Sequence, residues 1–484
     1  MKSLTSLVKV LRPSEKRLLL HYYSRNTNSE EKLRLALFKL VEEGVESDSD
    51  ARLMLKTNAS VSAYSHLKSR LKNDILNVLL MQDTTKRLAQ GNRAAELDCR
   101  KKVAQSHLLL LRGAQIEGMK VLKQALYAAD KFELLAERLQ INHQLREFFV
   151  GATSSTELTR LNKEISRDLK IYEALLYVEE QSFVLSSPEF SKNLKTRAKE
   201  AEYLGLIHEL GNLFKKHKLA RIGFWYYMAA TEYHRARKNY EEVVLIGLKF
   251  LNLVEKNPSV KSKNNMAGVN QTVGGGYFEL RQFESAIVYF SKAEKFFPVS
   301  GFNRLVPLQY LAISDAALAN YGSAIKHVGV ALAHPRIATR EPLVPRWLFI
   351  KASIEFLNAD IDDSFKTINS DGYLMKQQDA WNIHYRLLEM MQLISRRDEE
   401  WLEFKLDATR KFLTRHKNLD TPRVRTAIDI FGNLLRKDLD FDLLSEKNIL
   451  GLNACLNEDK GFTWYPSSPE IVRFDHWIQS NRSD

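Results

Sequence analysis

Three consecutive glycines, Gly274-Gly275-Gly276, are a candidate phosphate-binding loop. Backbone N–H groups without side chains can cradle a phosphate in a glycine-rich loop between a strand and a helix. Such a loop needs a preceding β-strand and a following Lys-Ser or Lys-Thr pair, and the sequence offers neither. A close approach of two helices explains Gly274 better, and the other two glycines indicate a local bend or a groove.

Other catalytic and metal-binding patterns are also missing from the sequence. The 12 histidines show no metal-ligand spacing, and His208-Glu209 lacks the second histidine of a zinc-protease motif. There is no Gly-x-Ser-x-Gly elbow. Carboxylate pairs such as Asp362-Asp363 lie in polar stretches that are typical of solvated helix faces. We therefore predict a protein that is not an enzyme and that uses no cofactor and no metal.

A stretch of cations and aromatic residues could bind nucleic acid. Lys215, Lys218 and Arg221 precede the aromatic residues 224–227, and single-stranded nucleic acids bind such mixtures through base stacking and phosphate contacts. The same rings fall on one stripe of a helix, with Phe224 and Tyr227 on the same side, which is typical of a hydrophobic core. Both interpretations stay open, and the core is favoured.

Residues 60–71 could be the second half of a helix-turn-helix. In that hypothesis Tyr64, Lys68 and Arg70 face the major groove of DNA. The turn lacks its usual glycine, and an amphipathic helix that packs Leu67 and Leu71 into a core explains the pattern without DNA. The core is again the favoured interpretation.

A repeat pattern over residues 270–298 is the strongest signal in the chain. Its members are small, aromatic and helix-ending residues at fixed spacing: Gly274, Tyr277, Ala286, Phe290, Ala293 and Pro298. Gly274 lets a second helix come close, the next four fill the space between the helices, and Pro298 ends the second helix. This spacing resembles the signature of the tetratricopeptide repeat (TPR), a pair of antiparallel helices that packs on the next pair.

Neighbouring segments repeat part of this pattern. An aromatic or aliphatic residue opens a predicted second helix in each, followed by a proline in the first three: Tyr240 with Pro258, Phe283 with Pro298, Tyr321 with Pro335, and Ile361. The resemblance covers residues 225–340 and, more loosely, 100–460. It implies an all-α protein, an α-solenoid of divergent TPR-like helix pairs. Residues 1–100 resemble the N-terminal helical region of some uncharacterised bacterial TPR proteins.

The resemblance also implies a concave face on which the first helices of the pairs hold a partner. The corresponding positions include Gln271 and Gly275 in one pair and Gln309, Tyr310 and Ile313 in the next. The cations with which some TPR proteins grip a peptide carboxylate are missing there. We therefore expect this groove to bind an apolar or neutral segment.

The charge of the chain is basic and uneven. The net charge of +13 over 484 residues arises from +8 in residues 1–110, +9 in 111–350 and −4 in 351–484. A basic body can attract nucleic acid or acidic proteins, although such cations usually solvate helix faces. Our main hypothesis is a non-enzymatic helical-repeat scaffold or adaptor that binds a protein or peptide. The alternative is a nucleic-acid-binding protein, a regulator or an RNA-associated factor, that uses the first 350 residues.

The remaining expectations concern compartment and domains. Cys99 and Cys455 are too few and too far apart for a disulfide framework, which favours a reducing compartment. No apolar stretch suits a signal peptide or a membrane span, so we predict a cytoplasmic protein of undetermined oligomeric state. We predict an N-terminal helical module at 1–100, the repeats at 101–460, and an aromatic tail at 461–484 that caps the last helices.

Overall fold

The computed structural model describes residues 1–24, 28–55, 60–81, 92–151, 155–185, 197–337, 343–370 and 380–482. These ranges contain 23 α-helices and no β-strand, which confirms the all-α class. The chain divides into two compact units, Met1–Glu173 and Ala174–Asp484, and the division falls inside the ninth helix. The domain limits of 1–100, 101–460 and 461–484 stay a prediction.

The first unit contains eight helices and most of a ninth. They are α1 Lys2–Val10, α2 Pro13–Ser24, α3 Ser29–Glu42, α4 Asp48–Met54, α5 Val61–Met81, α6 Asn92–Leu111, α7 Gln115–Lys131, α8 Leu135–Gly151 and α9 Ser155–Leu185. Residues of α1 to α5 share one hydrophobic core that includes the fully buried Phe38 and Ile75. A separate core, which includes Leu122 and Leu161, joins α6 to α9.

The second unit contains the rest of the helices. They are α10 Arg197–His217, α11 Ala220–Ala236, α12 Tyr240–Lys256, α13 Lys263–Glu279, α14 Phe283–Phe296, α15 Leu305–Ala317, α16 Tyr321–Leu332, α17 Leu343–Leu357, α18 Ile361–Asn369, α19 Ala380–Ser395, α20 Glu399–Arg415, α21 Pro422–Leu435, α22 Glu446–Leu456 and α23 Phe474–Asn481.

These helices stack in chain order as antiparallel pairs. Each helix from α10 to α22 packs on the next one along the chain, and alternate helices also touch. The alternate contacts join α13 to α15, α15 to α17, α17 to α19 and α19 to α21. These five helices therefore form one continuous layer, which we call the inner layer. The stack confirms the helix-pair architecture predicted from the repeat pattern.

The start of each second helix follows the predicted pattern. Helices α12, α14, α16 and α18 begin at Tyr240, Phe283, Tyr321 and Ile361, the four residues that the sequence marks. The turn before each contains one left-handed residue with φ between 57° and 63°: Lys238, Arg281, Ala319 and Ala359. In the α13–α14 turn the N–H of Gln282 donates to the carbonyl of Tyr277 (2.9 Å), a pattern that closes a helix end.

The glycine triplet lies inside the unbroken helix α13. Its N–H groups point along the helix axis and cannot form a phosphate loop. A Cβ on Gly274 would lie 3.1 Å from Cδ1 of Phe290, and one on Gly276 would lie 2.7 Å from Cγ2 of Val244. The expected bend or groove is therefore wrong for Gly276, which is a helix-packing position. Only Gly275 has open space in front of it.

Candidate functional site

The predicted partner positions lie on the inner layer of the second unit. Gln271 and Gly275 on α13 and Gln309 on α15 are partly exposed. Tyr310 stacks on the ring of Phe290, with centroids 4.8 Å apart, and Ile313 is buried in the same hydrophobic cluster. Tyr310 and Ile313 thus help to hold α15 against the preceding pair. The role of all five positions in partner binding stays a prediction.

The protein's own chain covers part of this inner layer. Residues 462–472, which we call the strap, run between α22 and α23 without regular secondary structure. Ile471 packs against three hydrophobic clusters that together draw residues from the pairs α13–α14 to α21–α22. Beyond the strap, Trp477 of α23 packs on Phe431 and Phe441, and the capping role of residues 461–484 stays a prediction. The strap extends far back along the stack.

An aromatic subsite holds Trp464 of the strap. The guanidinium carbons of Arg281 and Arg473 each lie 5.1 Å from a centroid of its ring system. Its Nε1 donates to the carbonyl of Glu470 (2.9 Å), and Arg281 Nη2 donates to the carbonyl of Trp464 (2.9 Å). Only 8% of Trp464 is exposed. Cation–π contacts and hydrogen bonds therefore fix both the ring and the backbone of this residue.

A carboxylate subsite holds Glu470. Arg423 at the start of α21 donates from Nε and Nη2 to the two carboxylate oxygens of Glu470 (2.7 and 2.8 Å). Nη2 also donates to Asp475 of α23 (2.8 Å). All three side chains are buried. Burial alone would lower the pKa of Arg423, but the two carboxylates raise it overall. This bidentate geometry is the one by which arginine recognises carboxylates.

An aliphatic subsite lies next to Glu470. Ile471 and Val472 border a small cavity whose other walls come from α17 and α19: Phe349, Ser353, His384, Leu387, Leu388 and Met391. The His384 Nδ1 is buried and has no hydrogen-bond partner among the described residues. Burial, and secondarily the positive charge of Arg423, lower the pKa of His384 to about 3. The imidazole is therefore neutral at physiological pH and adds little polarity to the apolar wall.

The far end of the strap contacts the turns at the ends of α11 and α13. Lys238 Nζ lies 3.7 Å from the ring centroid of Tyr465, and Glu279 forms a hydrogen bond with Ser467. Burial raises the pKa of Glu279, whose Oε2 has no partner among the described residues. The contacts at this end of the strap are thus polar, and one buried carboxylate oxygen of Glu279 lacks a hydrogen-bond partner among the described residues.

The helix-turn-helix hypothesis conflicts with the structure of α5. Tyr64, predicted to face DNA, is 3% exposed and belongs to the core of α1 to α5. Lys68 forms an ion pair with Asp48 (2.8 Å), and Arg70 pairs with Glu30. The helix is a packing element because its apolar residues, Leu67 and Leu71 among them, face the core. The DNA-facing role of Tyr64 is therefore wrong.

The aromatic and cationic stretch is also a packing element. Phe224 and Tyr227 lie against Phe250 of α12, with ring centroids 5.0 and 6.0 Å apart. Arg221 pairs with Glu179 (2.9 Å). Lys215 and Lys218 are exposed. Since the rings face a neighbouring helix, they are not free to stack on bases.

The residues that hold the strap were missed by the sequence analysis. The clamp positions considered there lie on α13 and α15, whereas the carboxylate-binding Arg423 lies on α21 and Arg281 in a turn. The inner layer therefore holds a carboxylate of its own chain, and the expectation of an apolar or neutral partner segment stays a prediction. One signal was available: Arg423 follows Thr421-Pro422, a helix start, on an otherwise apolar face.

Among the described residues no group of side chains could hold a metal ion, and none of the described helices is long and apolar enough to cross a membrane.

Neither a protein-family model nor a curated protein matches the sequence.

Two solved structures share a weak likeness with the chain. A Rap protein complexed with competence and sporulation factor has 14% identity and a TM-score of 0.42, over 72% of this chain and 98% of that one. A signal transduction ATPase with a tetratricopeptide repeat sensor, from Pyrococcus horikoshii, has 16% identity and a TM-score of 0.32. That match covers 82% of this chain and 56% of the ATPase. The fold described above rests on the helix pairs of this chain itself.

Proposed function

We propose that the protein is a non-enzymatic helical-repeat scaffold of the cytoplasm that binds a protein or peptide partner on the inner layer of its second unit. One observation carries the proposal: the inner layer holds an irregular polypeptide segment, the strap, through side chains from α13 to α21. A surface that binds one irregular segment in this way has the groove shape and mixed chemistry that peptide recognition needs.

Three of the five cations predicted to contact nucleic acid favour this function over the alternative. Lys68, Arg70 and Arg221 form ion pairs within the chain. A paired cation contributes less to phosphate binding, because its carboxylate partner must first be displaced or must approach the phosphate. We therefore propose no nucleic-acid function.

The test is a selection of peptides by the full-length protein. A random peptide library displayed on phage is selected against the full chain, and the bound peptides are mapped by cross-linking. We expect selected peptides to cross-link to inner-layer residues such as Gln271 and Gln309. Peptides that are selected but cross-link only to outer helices would contradict the proposed site, and the recovery of no peptide would contradict the function.

A further inference from the structure

We propose that the strap is a displaceable internal ligand, and that the partner is a peptide with the same chemistry. This inference rests on the proposed function. The partner presents an aromatic side chain and, six residues later, a carboxylate followed directly by two aliphatic residues, in the order of Trp464, Glu470, Ile471 and Val472. The bound strap occupies the three subsites until such a peptide competes for them.

The first argument is that the strap is bound as a peptide ligand is bound. Among the described residues, the backbone–backbone hydrogen bonds of the strap are local, such as Ser468 N–H to the carbonyl of Tyr465 and Ile471 N–H to the carbonyl of Pro469 (both 2.9 Å). No such bond joins it to a described helix of the inner layer. Side chains in three subsites hold it, so another peptide that offers the same side chains can replace it.

The second argument is that opening the strap leaves no buried cation without a carboxylate partner. Arg423 keeps Asp475, which belongs to the anchored helix α23. Arg281, whose side chain is 41% exposed, keeps Glu458 (2.6 Å), which follows α22 outside the strap. Removing the partner of a buried charge is usually what makes such a site costly to open. Glu470 loses its ion-pair partner and moves into water, and Glu279 loses its hydrogen bond with Ser467.

The third argument is that the strap fits its groove incompletely. Three buried polar atoms at this contact have no hydrogen-bond partner among the described residues: Ser468 Oγ, Glu279 Oε2 and His384 Nδ1. Unsatisfied buried groups weaken an interface. A partner that donates a hydrogen bond to Glu279 Oε2 would bind better than the strap.

The experiment measures competition between the strap and a free peptide. The probe is a fluorescently labelled synthetic peptide with the sequence of residues 460–474, titrated by anisotropy with three full-length proteins. These are the wild type, the strap variant Trp464→Ala/Ile471→Ser, and the control Trp401→Ala. Trp401 is an exposed tryptophan on α20 that contacts Phe404 and not the strap.

We expect the strap variant to bind the probe at least about tenfold more tightly than the wild type and the control, because a larger fraction of its grooves is open. A probe with glutamine in place of the glutamate equivalent to Glu470 should bind about tenfold more weakly or worse, because it loses the charged pair with Arg423. Equal affinity of the folded strap variant and the wild type would overturn the proposal, as would a probe whose binding ignores the glutamate.

Hydrogen exchange of the wild type provides a second test that needs no variant. A displaceable strap opens while the helices stay folded, so its hydrogen-bonded amides, those of Ser468 and Ile471, should exchange at least about a hundredfold faster than those of α21. Equal protection would identify the strap as a permanent part of the core and overturn the proposal. A dimer that exchanges straps and ignores the free probe would also overturn it, since the occupant would then be a second copy.

The two proposals fail in different ways. If peptides of unrelated chemistry bind the inner layer while the strap stays protected, the proposed function holds and the displaceable strap does not. If neither the probe nor any library peptide binds the strap variant, the peptide-binding function itself fails.

Discussion

Alanine substitutions in the glycine triplet of α13 test how closely the helix pairs pack. A Cβ at position 276 would lie 2.7 Å from Val244 Cγ2 and 3.3 Å from Val243 Cγ1, so α12 and α13 would have to separate. A Cβ at Gly275 meets nothing within 4 Å. The two variants, Gly276→Ala and Gly275→Ala, differ by one position in the same helix and thus form a matched pair.

The expected change in the free energy of unfolding follows from two opposing effects. Either alanine stabilises the helix by about 1 kcal/mol relative to glycine. At Gly276 the steric overlap with Val244 costs about 1–3 kcal/mol, the usual range for overpacking a core. The helix-propensity gain is common to both variants. The difference between them therefore measures the packing cost alone, and Gly276→Ala should be less stable than Gly275→Ala by about 1–3 kcal/mol.

The assay is urea denaturation of both full-length variants, followed by circular dichroism at 222 nm, a standard helix wavelength, with hydrogen exchange of α12 to α14 to localise the effect. Gly275→Ala should raise the free energy of unfolding above that of the wild type. If the two variants unfold at the same urea concentration, the close contact between α12 and α13 is refuted.

Three further perturbations follow from the same structure. Ala359→Gly should stabilise the protein by about 1 kcal/mol, because Ala359 has φ of 63°, a left-handed conformation that glycine adopts without strain. The control Ala317→Gly, at the end of α15, should not stabilise it. Thermal unfolding of the two variants compares them. Trp464→Ala should cost about 3–5 kcal/mol of unfolding free energy, against about 0.5 kcal/mol or less for the exposed Trp401→Ala; equal losses would contradict the buried aromatic subsite. The pKa of His384 is lowered in the folded state, so protonation of its imidazole favours unfolding. The free energy of unfolding is therefore highest above pH of about 6.5, the pKa of histidine in the unfolded chain, and decreases as the pH falls below that value. At pH 5 this loss should reach about 2 kcal/mol in the wild type and be absent from His384→Gln, as urea titrations at both pH values would show.

Much of the fold could be predicted because local patterns determine it. Tyr240, Phe283, Tyr321 and Ile361 begin their helices as expected. The interval from Gly274 to Phe290 indicated the contact that the structure shows. In repeat folds each pair contacts mainly its neighbours, so short-range signals carry most of the architecture.

The strap could not be predicted because it depends on long-range contacts. Arg281 and Trp464 meet across 183 positions of sequence, and Arg423 and Glu470 across 47. An irregular segment has no periodicity to reveal which face it covers. The aromatic residues near the C-terminus indicated that the tail packs somewhere, but only the structure shows that it follows the inner layer.

Site-specific photo-cross-linking tests the central claim, that the inner layer receives a polypeptide partner, most directly. A photoreactive amino acid is placed at Gln309 on the inner layer or, as the control, at Val288, an exposed outer residue of α14. Each is introduced into the strap variant, and a peptide selected from the library is added. We predict a cross-link from position 309 and none from position 288. A cross-link from position 288 alone would contradict the account.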